Sequence, residues 1–276
     1  RRALKAITTA TLGCGWAGKG VSTDVLATPL SRRDESQAHN PARSGDMIQA
    51  DTLEAYNVGG GEQVRLSAPD ASAAYNSVLR TVPRDVFEAG TWDCARACRK
   101  LDVEQDSELA VEPFAPHPEY TTRAQAKEND EFVEILDDSG GSDLVVTAPH
   151  GGRIEYRTDD QSGLVADALG ATDWSCVGFN SGGGAYDRWH ITSTKISPQS
   201  FPKLGEIADR DFAYAVSFHG FGEEGIAVGG GASHELKRTV RQAIEDATDE
   251  RYDVYIPDAD GPYAGVSSEN YVNWLT

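Results

Sequence analysis

Short apolar runs alternate with amphipathic segments through the second half of the chain. The runs have the length and the β-branched or aromatic content of strands, and the segments between them repeat apolar positions at helical spacing. Strands that alternate with helices predict an α/β fold, with a mainly parallel or mixed sheet flanked by helices. The predicted strands are 143–148, 174–180, 189–195, 213–218, 225–229 and 253–256, and the predicted helices are 160–169, 202–210, 234–248 and a last one from Ser267 to Thr276.

The first half of the chain has a weaker pattern. Residues 20–45 are polar and rich in Arg, Asp, Ser and Pro, which is typical of a linker. Residues 46–120 form a small N-terminal segment of unknown role, with a short alternating strand in EQVRLSA (62–68) and a predicted helix over 86–101. We therefore expect the main domain, residues 121–276, to carry a small N-terminal extension. That domain opens with a charged stretch, 121–141, which ends in a turn.

The first 19 residues favour a targeting role. Arg1 and Arg2 precede a weakly apolar segment, which resembles a twin-arginine export signal and predicts an extracellular or cell-surface protein. The alternative is an N-terminal helix of a cytoplasmic or virus-associated protein. No stretch of about 20 apolar residues is present, so the sequence predicts no membrane span.

The charge of the chain limits its partners. The 276 residues carry a formal net charge of −19, a pI near 4.6 and only seven lysines. Nucleic-acid partners are disfavoured, because phosphate contacts need clustered Lys or Arg. The composition suits a halophile, since the Debye length falls to roughly 3 Å in molar salt and self-repulsion is screened. An ordinary acidic bacterial or viral protein is the alternative.

The four cysteines do not form a CxxC pair. Cys94 and Cys98 lie four residues apart in the predicted helix 86–101, and a buried structural pair is favoured over a metal site. The small number of cysteines also argues against a disulfide scaffold.

Candidate chemistry lies at the ends of two predicted strands. Strand 143–148 runs into His150, two glycines follow, and Glu155 lies five residues past the histidine; strand 213–218 ends at His219. Ligands of α/β sheets bind at the carboxyl ends of strands. Two histidines and a carboxylate there would form a His2Glu zinc site that leaves a fourth position for water. A loop histidine and a surface glutamate are the alternative.

Five segments resemble one known family. TAPHGGRIE (147–155) is similar to the HGG(G)IE motif of poly-γ-glutamate hydrolases, and the later segments resemble further motifs in the same order. These segments are RWHITSTKI (188–196), SFHGFGEEGIAVGG (217–230) and ENYVNWL (269–275), with GEQVRLS (61–67) similar to a stretch near the start of some members. The resemblance implies a carboxypeptidase-like α/β fold and cleavage of γ-glutamyl amide bonds.

The resemblance also implies a site. His150, Glu155 and His219 match the zinc ligands, so the expected cofactor is Zn²⁺ and the expected partner is poly-γ-glutamate or another glutamyl-amide substrate. The alternatives are a zinc carboxypeptidase or N-acyl amino acid deacylase acting on a small substrate, and a metal-binding or virion protein without turnover. The family's general base is normally a glutamate on a later strand, which we expect beyond Thr276 unless Glu223 or Glu224 substitutes for it.

Three further residues have two interpretations each. His190 is predicted to hydrogen-bond substrate or oxyanion, or else to be satisfied within the core. Arg188 is predicted to anchor a substrate carboxylate, because its planar fork matches that group, or else to be a surface residue. Arg153 replaces the third glycine of the family motif and is either merely exposed or a cation for a glutamate carboxylate.

Overall fold

The structure, a computed structural model, describes residues 63–67, 74–77, 110–112 and 114–276, together with the backbone of 12–13 and 28–29. Nearly all of the predicted export signal (1–19) and linker (20–45) lies outside the described residues. The predicted helix 86–101, with Cys94 and Cys98, lies outside them as well.

The described strands and helices alternate over the second half of the chain. The strands are β1 (Leu12–Gly13), β2 (Thr28–Pro29), β3 (Val64–Ser67), β4 (Ala74–Ser77), β5 (Ala110–Glu112), β6 (Phe132–Asp137), β7 (Leu144–Gly152), β8 (Thr172–Gly178), β9 (Tyr214–Ser217), β10 (Ile226–Ala227) and β11 (Val254–Tyr255). The helices are α1 (Arg123–Glu128), α2 (Thr158–Leu169), α3 (Ala185–Trp189), α4 (Pro202–Gly205), α5 (His234–Ala247) and α6 (Tyr271–Trp274), with a 3-10 turn at Ser193–Lys195.

The central sheet has four strands in the order β6-β8-β7-β9. β7 runs parallel to both β8 and β9, and β6 pairs antiparallel to β8. The central position of β7 explains its largely apolar sequence, because a strand covered on both faces is buried, and every residue of β7 after Leu144 is buried. The predicted α/β class with a mixed, mainly parallel sheet is confirmed.

Aromatic side chains fill the main core on one face of this sheet. Trp174 of β8 and Phe132 of β6 pack with Trp189, Phe201 and Tyr271, all of them almost fully buried. On the other face, α2 packs against β7 and β8 through Ala166. The helices thus flank the sheet and hold β7, which carries His150, between two packed layers.

The strand predicted over 189–195 is wrong. The segment instead ends α3 at Trp189, passes through an extended His190 and forms the 3-10 turn. Trp189 and Ile191 are buried while His190 is partly exposed, so the alternation of a strand is present without a pairing partner. The burial alternates because this segment lies along the edge of the core, so that successive side chains point alternately into the core and towards the surface.

The charged stretch 121–141 contains α1 and β6, which its composition conceals. Thr122 caps α1 in a capping box with Gln125. Glu134 is buried in β6, where it accepts hydrogen bonds from Trp174 Nε1 at 2.8 Å and from Leu204 N at 2.7 Å. A buried carboxylate with these partners is compatible with a core strand.

Part of the N-terminal segment contacts the main domain. β3, β4 and β5 form an antiparallel sheet in the order β4-β3-β5. Arg65 of β3 is 2% exposed and binds Glu131 Oε2 at 2.7 Å, while Gln63 N donates to Ser200 Oγ at 2.8 Å. The domain boundaries stay a prediction.

None of the described helices has the length and apolar character that a membrane-spanning helix requires.

Candidate metal centre

Two glycines turn the chain sharply at the end of β7. A Cβ at Gly151 would lie 2.6 Å from Asp159 Cβ, and one at Gly152 would lie 2.6 Å from the carbonyl oxygen of Gly178. Gly152 also has a φ of +73°, which favours glycine. The turn is closed by a 2.7 Å hydrogen bond from Glu155 N to His150 O, which brings the two side chains to one side.

Three potential ligand atoms converge at the carboxyl ends of β7 and β9. His150 Nδ1 lies 3.0 Å from Glu155 Oε1 and 3.2 Å from His219 Nδ1, and His219 Nδ1 lies 3.2 Å from Glu155 Oε2. Ligands at 2.0–2.1 Å from a tetrahedral zinc stand roughly 3.3 Å apart, close to these separations. The structure thus brings together all three ligands that the sequence predicts.

The tautomer of neutral His150 is fixed by a backbone carbonyl. His150 is 2% exposed, and its Nε2 lies 2.7 Å from the Ile191 oxygen. A carbonyl only accepts, so Nε2 carries the proton and Nδ1 presents a lone pair to Glu155 and His219. Metal-binding histidines are commonly oriented in this way by a hydrogen bond from the other ring nitrogen.

A chain of hydroxyls fixes His219 in the same tautomer. Thr147 Oγ1 donates to the Val216 carbonyl at 3.2 Å, so the 2.7 Å contact between Tyr271 and Thr147 has the tyrosine as donor. Ser217 Oγ then donates to the Tyr271 hydroxyl at 2.6 Å, and His219 Nε2–H donates to Ser217 at 3.0 Å. Each hydroxyl has one proton to donate, so Ser217, which donates to Tyr271, can only accept from His219. The ring proton of neutral His219 is therefore on Nε2, and Nδ1 keeps a free lone pair.

The Nδ1 lone pairs of His150 and His219 face the carboxylate of Glu155, and such a set of donors attracts a cation. Burial disfavours the charged carboxylate, but in the protonated forms of His150 and His219 Nδ1 donates to Glu155, and these hydrogen bonds and charges outweigh burial and hold the pKa of Glu155 below its usual range. Gly220 N donates to the Glu155 carboxylate at 2.9 Å and adds to this effect. A divalent cation fits the donor set, and two nitrogens with one oxygen suit zinc.

His190 also belongs to this cluster. Its Nε2 lies 3.7 Å from Glu155 Oε1, and its ring is 4.2 Å from that of His150 and stacks on Tyr186. Ligand atoms of His150, Glu155 and His190 all lie within 4.8 Å of one another, so His190 borders the same space as the three predicted ligands. Burial, reinforced by His150, lowers the pKa of His190 to about 3, so the ring is neutral near pH 7.

We expect His190 to make the metal-free protein acid-sensitive. Its folded pKa lies below the unfolded value of 6.5, so the unfolded chain takes up the proton first and stability is lost as pH falls from about 6.5 towards 3. At pH 5 the free energy of unfolding is expected to be about 2 kcal/mol lower than at pH 7 because of this one group. Unfolding free energies of wild type and His190→Gln at pH 7 and pH 5 measure it, and equal losses in both proteins would contradict this assignment.

The structure places Arg188 away from these ligands. The side chain is largely buried; its Nη1 donates to Asn180 Oδ1 at 3.0 Å and its guanidinium lies 4.0 Å from the Trp189 ring centroid. Its role as a substrate anchor stays a prediction.

Tyr271 and Ser217 are the site residues that sequence reasoning missed. Tyr271 lies in ENYVNWL (269–275), where it begins α6, and the sequence of this segment predicts only a helix. The available signal is a tyrosine next to apolar Val272, because a tyrosine packed into a core usually finds a hydrogen-bond partner for its hydroxyl.

The comparisons with known proteins give the family of the chain, which is a family of hydrolases. The family model described as poly-gamma-glutamate hydrolase matches residues 119–276, more than half of the chain. The chain therefore belongs to the poly-gamma-glutamate hydrolase family. No curated protein sequence matches it.

Two solved structures are similar to the chain. The zinc-free apo form of YNDL is 26% identical with a TM-score of 0.40, and the match covers 52% of this chain and 65% of that one. A bacteriophage poly-gamma-glutamate hydrolase is 20% identical with a TM-score of 0.42, covering 52% and 64%. The match thus spans just under two thirds of the length of either protein.

Proposed function

We propose that the protein hydrolyses γ-glutamyl amide bonds of poly-γ-glutamate in a zinc-dependent reaction. The observation that carries this proposal is the convergence of His150 Nδ1, His219 Nδ1 and the Glu155 carboxylate within 3.0–3.2 Å. Membership of the hydrolase family supports the reaction class and the substrate.

His150, Glu155 and His219 would hold the metal, and their partners keep them in place. When bound, zinc polarises a carbonyl and lowers the pKa of its water to about 7. The hydrogen bonds to the Ile191 carbonyl and to Ser217 keep both imidazoles aimed at one point. Rigid side chains would hold a bound zinc in one place, so that the amide carbon of the substrate could be positioned against it.

His190 supplies a neutral imidazole beside the ligands. A neutral ring both donates and accepts a hydrogen bond, so His190 suits a role on the scissile amide oxygen or on the leaving nitrogen. Its stacking on Tyr186 at 4.3 Å, together with the tilted contact to the His150 ring at 4.2 Å, fixes the plane of the ring. This position supports the predicted contact with substrate or oxyanion.

The test is the chain length of poly-γ-glutamate after incubation with the zinc-loaded full-length protein. Wild type is expected to shorten the polymer rapidly, and His219→Ala is expected to leave it intact. Failure of wild type to shorten the polymer while zinc is bound would overturn the proposal. Hydrolysis of N-acyl glutamate in that case would identify a deacylase instead.

Activity on the polymer is expected to rise with salt. Substrate and protein are both strongly anionic, and the −19 charge slows their encounter at low ionic strength. Screening removes this long-range repulsion, so the rate at low substrate concentration should rise between about 0.1 M and 1 M salt. A steady decline over this range would contradict the prediction.

A further inference from the structure

A basic pocket lies against the turn that carries Glu155. It has a volume of about 290 Å³ and lies between α1 and the turn after β7. The side chains that give it its character are Arg123, Lys127, Arg153, Tyr156, Arg157 and Asp160. Four cations and one carboxylate thus face one cavity, in a chain whose overall charge is −19.

Two of these cations are not neutralised within the described part of the chain. Arg123 Nε binds Asp159 at 2.6 Å, and Arg157 Nε binds Asp160 at 3.2 Å. Arg153 and Lys127 have no carboxylate within 4.0 Å among the described residues, and both are exposed. The pocket therefore has uncompensated positive charge, which favours an anionic ligand.

The two arginines of the turn are arranged around one aromatic ring. Arg153 Cζ lies 5.1 Å from the centroid of the Tyr156 ring and Arg157 Cζ lies 6.0 Å from it, while Tyr156 is 66% exposed. Cation–π contacts restrict both guanidiniums without using their hydrogen-bond donors. The planar fork of Arg153 stays available, and its donor geometry matches a carboxylate in bidentate fashion, whereas Arg157 Nε already binds Asp160.

The turn that lines the pocket also carries a metal ligand. Gly152, Arg153 and Arg157 line the pocket, while Glu155 between them points into the ligand cluster. The Cα atoms of Arg153 and Arg157 lie at most about 8 Å from that of Glu155, because each is two residues away. A polymer chain at the metal centre therefore has a neighbouring carboxylate within reach of the pocket.

We propose that this pocket binds a free carboxylate of the substrate next to the scissile bond. A γ-linked glutamate chain keeps one α-carboxylate on every residue, so the pocket complements its repeating charge. The inference rests on the proposed function, and it assigns Arg153 as the principal substrate-positioning cation. It also explains how a strongly acidic protein accepts an anionic polymer at its site.

Binding to the zinc-free protein tests the pocket separately from catalysis. The probe is a γ-linked glutamate pentamer, titrated by calorimetry against wild type, Arg153→Gln and Arg153→Lys. Arg238→Gln is the matched control, because Arg238 is an exposed arginine of α5 and its loss changes the net charge equally. We expect Arg153→Gln to raise Kd about tenfold and Arg238→Gln to change it less than twofold.

A neutral probe and the kinetics complete the test. The same pentamer with its α-carboxylates converted to amides should bind Arg153→Gln and wild type equally. In the zinc-loaded enzyme, KM should rise about tenfold in Arg153→Gln, with kcat changed less than threefold. Cleavage by wild type with unchanged Kd and KM in Arg153→Gln would overturn the pocket and leave the proposed function standing.

Two other outcomes are equally decisive. Equal weakening by Arg153→Gln and Arg238→Gln would mean that only net charge matters, and would overturn the pocket. Arg153-dependent binding of the pentamer without any cleavage by zinc-loaded wild type would support the carboxylate pocket and overturn the proposed hydrolysis.

Discussion

Replacing His150 with alanine is expected to abolish zinc binding and to lower the hydrolysis of poly-γ-glutamate by about 10³-fold or more. His150 Nδ1 lies within 3.2 Å of a ligand atom of both Glu155 and His219, so its loss leaves two donors of three. Lewis-acid stabilisation by a bound metal is worth several kcal/mol, and about 4 kcal/mol corresponds to three decades in rate. Zinc content after gel filtration and polymer chain length measure the two effects.

The controls separate the loss of a ligand from the loss of the fold. His150 is buried, and its removal leaves the Ile191 carbonyl without this donor, which costs about 1–3 kcal/mol. His219→Ala is the milder variant, because the side chain of His219 is 35% exposed. His234→Ala, which removes an exposed histidine from α5, should keep both zinc and activity. Retained zinc in both folded ligand variants would rule out the proposed ligand set.

Replacing Tyr271 with phenylalanine is expected to weaken zinc binding by about 10–100-fold, although Tyr271 is not itself a ligand. Burial raises the pKa of Tyr271, so its hydroxyl stays protonated and can donate to Thr147. Without that hydroxyl, Ser217 loses the acceptor that fixes its proton. Ser217 can then donate to His219 Nε2, which moves the imidazole proton to Nδ1 and blocks the metal-binding lone pair.

Chelator competition measures the zinc affinity, and a nitrogen NMR spectrum of the zinc-free protein measures the tautomer. Wild type should show His219 with the proton on Nε2, and Tyr271→Phe should show a mixture. Thr147→Val removes the far end of the hydroxyl chain and should shift the tautomer less. An unchanged tautomer with unchanged affinity in Tyr271→Phe would mean that the hydroxyl chain has a purely structural role.

The convergence of His150, Glu155 and His219 could be predicted from the sequence because their positions depend on local features. His150 and His219 end apolar strands, and glycines after His150 allow the turn that returns Glu155 to the site. Tyr271 could not be predicted in the same way, since it reaches Thr147 and Ser217 across 124 and 54 residues of chain. Only the packing of α6 against β9 makes these hydroxyls neighbours.

The elements of the fold also divide into those set by local sequence and those that depend on distant residues. The buried strands β7 and β8 and the amphipathic helix α5 have clear patterns, and their positions agree with the prediction within a few residues. The sequence does not predict β6, because Glu134 within it and Glu131 just before it suggest a solvated segment. The partners that satisfy these carboxylates, Arg65, Trp174 and Leu204, lie 40 to 70 residues away.

Because β9 lies at an edge of the sheet, we expect a bound metal ion to be released when that edge opens. β9 carries His219 at its end and, among the described strands, pairs with β7 alone. A strand with one neighbour detaches more readily than a central strand. Each detachment would carry His219 away from His150 and Glu155. The off-rate of the ion should therefore follow the amide exchange rate of β9, and residues that tighten this edge should lengthen the residence time of the ion.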